Sequence, residues 1–233
     1  MPARQEPKML MRLSSADTNV AERRITEQRF VDLCRRLGAR EELHALFALL
    51  VGHYSERNRF YHSRSHLEHC LAQFDRARSA TPDPDAVEIA LWFHDVIYDP
   101  FACDNELKSA ELFMRKLGRQ IDPDRAEHIH RLIMATVHDR PPGCTDASFV
   151  VDVDLSSFAL PWDEFEADSD AIRQEYAHLS DDEFYGNQFR FLSALASRET
   201  LYSTAFFRER SERIARENLN RRLESLRARG YSL

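Results

Sequence analysis

The sequence predicts an all-α protein: a single-domain helical bundle. Three observations carry that expectation. Apolar residues recur at helical spacing in one segment after another. Several of the six glycines fall where such a pattern stops, and the nine prolines cluster between the segments. No pair of alternating β-branched runs is joined by an Asn-Gly or Asp-Gly turn.

Taken in order, the pattern places helices at 20–37, 40–54, 63–79, 84–97, 103–118, 123–138, 149–158, 162–178, 181–197 and 202–228. Gly38 closes the first. Pro82 and Pro84 mark the entry to the fourth, and Pro100 separates it from the fifth, which Gly118 ends. Pro123 opens the sixth, Pro141-Pro142 separate it from the seventh, and Pro161 precedes the eighth. Ser148–Asp154 is the best strand candidate, and it reads equally well as the start of a helix. Residues 1–20, with Pro2 and Pro7, read as a mobile tail, and 21–233 as one domain.

Composition narrows the function classes. The 233 residues carry 32 Lys+Arg against 39 Asp+Glu, a net charge of −7. That balance argues against nucleic acid as the partner. No apolar run approaches the ~20 residues that span a bilayer. Lys8–Arg12 is too short for a signal-peptide core of about 7–15 apolar residues. The four cysteines form no CxxC pair. Reduced thiols in a cytoplasm are the simplest expectation. Nothing in the pattern selects an oligomeric state.

Chemistry concentrates in three separated segments. Asp85–Tyr98 is apolar on nearly all sides, as a central buried helix is, yet it carries His94-Asp95 near its end. A buried carboxylate costs several kcal/mol unless it is paired or binds a metal. A cap or salt bridge beside a satisfied core histidine is the bland alternative. In the preceding helix, His62 and His66 are four apart, and share a face if the helix already includes Tyr61; His69 continues the stripe. Neutral imidazoles at this spacing suit a divalent metal. Ser63 stands where a zinc protease would need its glutamate, so this is not HExxH. The third segment is Val150–Leu155, where Asp152 and Asp154 lie in apolar sequence. One of them could be a helix cap. Two imidazoles and two carboxylates leave open positions on a six-coordinate ion.

The order His66, His94-Asp95, Asp154 resembles the H…HD…D signature of the HD superfamily of metal-dependent phosphohydrolases. Further matches are Tyr61-His62, Phe93 with Tyr98-Asp99, Asp104-Asn105-Glu106 with Ser109-Ala110, Asp152-Val153-Asp154-Leu155 and Ile172–Tyr176. Together they are similar to one bacterial branch, the predicted metal-dependent HD phosphohydrolases, over roughly residues 25–225. The resemblance implies an HD-type bundle with a divalent metal (Mn, Mg, Fe, Co or Zn) held by His66, His94, Asp95 and Asp154, with Asp152 as the alternative last ligand. It implies an enzyme that cleaves a small phosphate ester, a nucleotide or related metabolite, with a metal-activated water. The Tyr-His…His element is also similar to that of cyclic-nucleotide phosphodiesterases, which makes His62 the general acid. Asp95 would orient and deprotonate the nucleophile. Asn105 and Glu106 occupy the region where two-metal members place extra ligands. The alternatives are a metal- and nucleotide-binding regulatory module without turnover, and a scaffold with a structural metal only.

Four further residues are expected at the substrate. His138 ends a helix before Arg140-Pro141-Pro142, and could contact phosphate or simply complement the helix dipole. Arg173 has the fork geometry of a phosphate clamp, or forms a structural salt bridge. Tyr176 flanks the same pocket or sits in the core. Arg64 faces substrate or solvent. Trp92, Phe93, Phe113 and Phe191 are read as core. Residues 205–229, with eight arginines and four glutamates, are read as a solvated helix with Glu–Arg pairs.

Overall fold

Pro84–Phe93 is the pivot of the architecture: every side chain from Ala86 to Phe93 is buried, Glu88 included. In a computed structural model describing residues 24–232, this segment is one of ten α-helices, and no strand occurs among the described residues. They are α1 (Glu27–Leu37), α2 (Leu43–Tyr54), α3 (Arg64–Ala77), α4 (Pro84–Phe93), α5 (Asn105–Lys116), α6 (Pro123–Met134), α7 (Thr145–Asp154), α8 (Trp162–Glu175), α9 (Asp181–Ala196) and α10 (Ala205–Ala228). The all-α expectation holds. The tail expected over 1–20 lies outside the described residues, apart from which one continuous core runs from α1 to α10. No described helix is long and apolar enough to cross a membrane.

Local chemistry sets the helix ends. Thr26 accepts from the Arg29 amide at the start of α1, and Gly38 closes that helix at φ 106°, where a side chain would be strained. Asp83 caps α4 and Asp122 caps α6, each followed by proline at the first helical position. Ser180 and Glu183 form a reciprocal capping box at α9, and Thr204 caps α10. Ser148–Asp154, ambiguous in sequence, is helical, and a 3-10 turn over Leu155–Ala159 continues it.

Helix α4 packs against α1, α3, α6 and α7, while α10 lies along the 155–159 turn and α9. Helix α10 is solvated with i,i+4 pairs, Arg213–Glu217 at 2.7 Å and Arg216–Glu212 at 2.6 Å. Trp92, Phe93 and Phe113 are fully buried, but Phe191 is 46% exposed. The core expectation for Phe191 is corrected: its ring stands at the rim of a cavity described below.

Helix α4 ends at Phe93, not 97, and the unwinding is what positions the site. His94 takes the C-cap and folds its Nδ1–H back onto the Leu91 carbonyl at 2.9 Å. The carbonyls of Asp95 and Val96, freed by the unwinding, accept from the Arg59 guanidinium at 2.6 and 2.7 Å. Buried carbonyls need such partners, and a guanidinium supplies several donors in one plane.

Candidate metal centre

Three chain segments meet at one end of α4. Helix α3 brings His66, the turn after α4 brings His94 and Asp95, and the last turn of α7 brings Asp154. The His66 and His94 Nε2 atoms are 3.3 Å apart. Asp154 Oδ1 is 3.2 Å from His66 Nε2 and 3.6 Å from His94 Nε2. Asp95 Oδ2 is 3.0 Å from His94 Nε2 and 3.5 Å from His66 Nε2. Two donors each ~2.1 Å from an ion and at right angles would lie ~3 Å apart. All five separations sit close to that value.

A second observation supports the fit. Because His94 Nδ1 is committed to the Leu91 carbonyl, its Nε2 is the atom turned into the cluster. An imidazole fixed this way by a backbone carbonyl is the usual support for a metal ligand. Without a cation the same place is filled by protons. Burial would lower the His94 pKa, but Asp95 and Asp154 outweigh it and raise it well above the ordinary value. Burial likewise acts to raise both carboxylates, yet His94 holds Asp95 below its ordinary range, and the hydrogen bonds of His138, His66 and His94 do the same for Asp154. A divalent ion would replace the shared proton and answer both carboxylates at once.

Cys70, one turn beyond His66 on α3, joins the cluster. Donor atoms of His66, Cys70, His94 and Asp154 lie within 4.8 Å of one another, so this buried group could hold a metal ion. Two choices of fourth donor therefore exist, Cys70 sulfur or Asp95 oxygen. Burial, with Asp154 and Asp95 nearby, raises the Cys70 thiol well above its usual range, so it keeps its proton, whereas Asp95 is ionised. The carboxylate is the better-prepared ligand for a hard cation, and the sulfur would matter for a softer one. The sequence reading passed over Cys70; its signal was the i,i+4 spacing from His66.

Asp152 is excluded from the cluster. It turns the other way and accepts from the Ser203 amide (2.8 Å), the Thr204 amide (2.7 Å) and the Thr204 hydroxyl (2.7 Å), pinning the entry to α10. Burial raises its pKa to about 6. His69 is also outside: its Nε2 meets the Ser156 hydroxyl at 2.8 Å, and burial lowers it to about 4.

His62 is not on the helix of His66, because α3 begins only at Arg64. It sits on the preceding turn, its ring centroid 6.1 Å from that of His66 and stacked on Tyr98 at 4.1 Å. Glu175 at the end of α8 builds this turn. Its Oε1 accepts the amides of Phe60, Tyr61 and His62 at 2.8, 2.8 and 2.9 Å. Its Oε2 takes His62 Nδ1 at 2.7 Å and the Tyr98 hydroxyl at 2.9 Å. Burial opposes a charged His62, but the Glu175 bond and the Asp95 charge prevail and raise its pKa. Glu175 itself is lowered, burial being overcome by the bonds and charge of His62.

That contact corrects the reading of Ile172–Tyr176. The residue of that segment bonded to His62 is Glu175, not Arg173. Arg173 Nη2 pairs with Asp181 at 2.9 Å and donates to the Leu179 carbonyl at 3.1 Å, while its Nη1 donates to the Tyr176 carbonyl at 2.7 Å, so its fork is spent on the α8–α9 turn. Arg64 is likewise corrected: it is exposed, beside Glu68 at 3.5 Å. Tyr176 lines the cavity. His138, in a left-handed conformation at φ 59°, places Nε2 2.8 Å from Asp154 Oδ2. Its Nδ1 is buried and has no hydrogen-bond partner among the described residues. Asn105 is not at the cluster; it closes a turn with Asp99.

The cluster opens into a cavity of about 470 Å³. His62, Asp95, Glu106, His138 and Asp154 line it together with Phe158, Phe165, Phe184 and Phe191. Burial raises the pKa of Glu106, and raises that of Asp168 to about 6. No family model matches the chain, and neither a curated protein nor a solved structure matches it.

Proposed function

We propose that this chain is a metal-dependent phosphohydrolase of the HD type, acting on a small phosphate ester. The observation that carries the reading is that His66, His94 and Asp154 bring donor atoms within 4.8 Å of one another beside an open cavity, with Asp95 3.0 and 3.5 Å from the two imidazoles and His62 in the same lining. These four residues would hold the ion. A divalent cation there lowers the pKa of water and polarises a phosphoryl oxygen.

The remaining chemistry belongs to side chains. Asp95, kept ionised, accepts a proton from the attacking water and fixes its direction. His62 lines the cavity with Nδ1 bonded to Glu175, and that bond with the Asp95 charge outweighs burial and favours its protonated form. It gives that proton to the leaving oxygen. Glu175 holds the ring and its charge in place without touching substrate. Tyr176 and the phenylalanines exclude water from the part of the substrate that does not react. The compartment expected from the cysteines is the cytoplasm, and the partner is the phosphorylated substrate itself.

The test loads purified protein with Mn(II), Mg(II), Co(II), Fe(II) or Zn(II) and assays phosphate release from phosphomonoesters and nucleotides. His94→Ala and Asp95→Ala are expected to lose bound metal and turnover together. Turnover that persists in both variants rejects the site. Metal and nucleotide binding without product, across all ions, points instead to the regulatory module.

A further inference from the structure

The cavity wall has a distinctive charge pattern. Among the described residues its ionisable side chains are acids, histidines and tyrosines, and none is Lys or Arg. Two of the acids, Glu106 and Asp168, make no side-chain hydrogen bond or ion pair to a described residue, so their charge is not cancelled within the wall. The guanidinium groups nearby are committed elsewhere. Arg59 serves the Asp95 and Val96 carbonyls, Arg173 the α8–α9 turn, Arg222 the Gln188 side-chain oxygen at 2.9 Å, and Arg190 the Asn187 side-chain oxygen. None of these guanidinium groups is among the residues that line the cavity. The rest of the wall is aromatic and aliphatic, with the neutral polar side chains of Thr136, Ser157, Ser169, Asn187 and Gln188, none of which carries a positive charge.

We propose that the cavity selects monophosphate esters whose non-reacting part bears no negative charge, and rejects substrates with a second anionic group such as a diphosphate, a triphosphate or a carboxylate. The choice of phosphate as the reacting group rests on the hydrolase reading above; the charge selection rests on the wall. The one phosphate is answered by the ion its four ligands would hold and by His62 in the cavity wall. A second anion would lie in a partly desolvated space facing Asp168, with no cation to meet it. Like charges set opposite one another are a means of refusing wrong partners. The aromatic side chains in the wall instead favour an aromatic or otherwise flat, uncharged group.

The test separates charge from shape. Calorimetry on Mn(II)-loaded protein compares two uncleavable probes, para-carbamoylbenzylphosphonate and para-carboxybenzylphosphonate, which are nearly isosteric and differ by one negative charge. The amide is expected to bind about tenfold tighter or better. Asp168→Asn should shrink that preference, and Phe191→Lys, which sets a cation at the rim, should shrink or reverse it. Equal affinity for the two probes, tighter binding of the carboxylate, or no measurable binding of either overturns the proposal. Turnover of the matching aryl phosphates is measured in parallel. Charge discrimination without turnover leaves the selection standing and removes the hydrolase reading; turnover without discrimination does the reverse.

Discussion

Helix α4 carries two buried charged clusters, one near each end, and they are built on opposite principles. Near its start, Glu88 is 1% exposed and is met by Arg29 at 2.6 Å and by Arg78, while Asp85 pairs with Arg36 and Arg78 at 2.9 Å each. Every carboxylate there has a guanidinium, so the cluster closes on itself. Just past its end, His66, His94, Asp95 and Asp154 turn their acceptor atoms toward one another with no Lys or Arg among them. Both clusters take charge out of water, at a cost that must be offset. The first is complete within the described residues, whereas the second is completed by protons or by a cation. That difference separates a structural ion pair from a group that could hold a metal better than carboxylate burial does, because Glu88 and Asp154 are both largely withdrawn from solvent.

The largest expected effect lies at the open cluster. Removing the ion with a chelator should lower the melting temperature of the wild type and leave His94→Ala unchanged, since a ligand stabilises only the protein that binds it. Asp154→Ala should weaken metal binding by more than the ~10–100-fold typical of losing an outer partner. Equilibrium dialysis measures the affinity, and an unchanged value would make the two clusters equivalent. At the closed cluster the order of effects reverses. Glu88→Ala should cost about 1–3 kcal/mol of stability, since Arg29 keeps Asp75 and Arg78 keeps Asp85, with metal content in the folded fraction unchanged. Denaturant melts with metal analysis read both.

Glu175→Gln sharpens the comparison next, because it alters a group that supports the site without binding the ion. His62 has a raised pKa in the folded chain, so its share of stability is present below the ordinary imidazole value and lost as pH rises through the raised one. Glu175 has a lowered pKa, so its share is present above the ordinary carboxylate value and lost as pH falls through the lowered one. The stability gap between wild type and variant should therefore be widest near neutral pH and close on both sides. In turnover, the alkaline limb of the pH profile should move to lower pH. A profile that only drops, with no shift, would leave Glu175 a structural brace for residues 60–62. The smallest effect is expected at Asp152→Ala, about 1–3 kcal/mol of stability from the amides it strands, with metal affinity retained.

Much of this was legible in the sequence. Proline and glycine punctuation located most helix ends to within about four residues, because those residues act through local backbone geometry; the first helix, with no such mark at its start, begins at Glu27 and not at 20. His66, His94, Asp95 and Asp154 stood out because polar residues in apolar runs need a reason. What was not legible depended on direction. Asp152 and Asp154 are two apart on one helix, about 200° around its axis, and only the packing of α10 tells which one faces the histidines. Arg173 and Glu175 lie in one short segment, and the sequence drew attention to the wrong member because a guanidinium is the commoner partner of phosphate. Phe191 fits a helical pattern, but its helix presents it to the rim of a cavity that no local pattern reveals. Arg59 gave no signal at all, since its partners are main-chain carbonyls.

Arg59 has a consequence for how the centre would work over time. By fastening the loop after α4 from behind, it gives the ligands His94 and Asp95 a scaffold that does not depend on what they hold. An ion could then leave and another enter without the chain refolding around it. Which element occupies the protein would follow the supply of ions around it rather than the history of its folding.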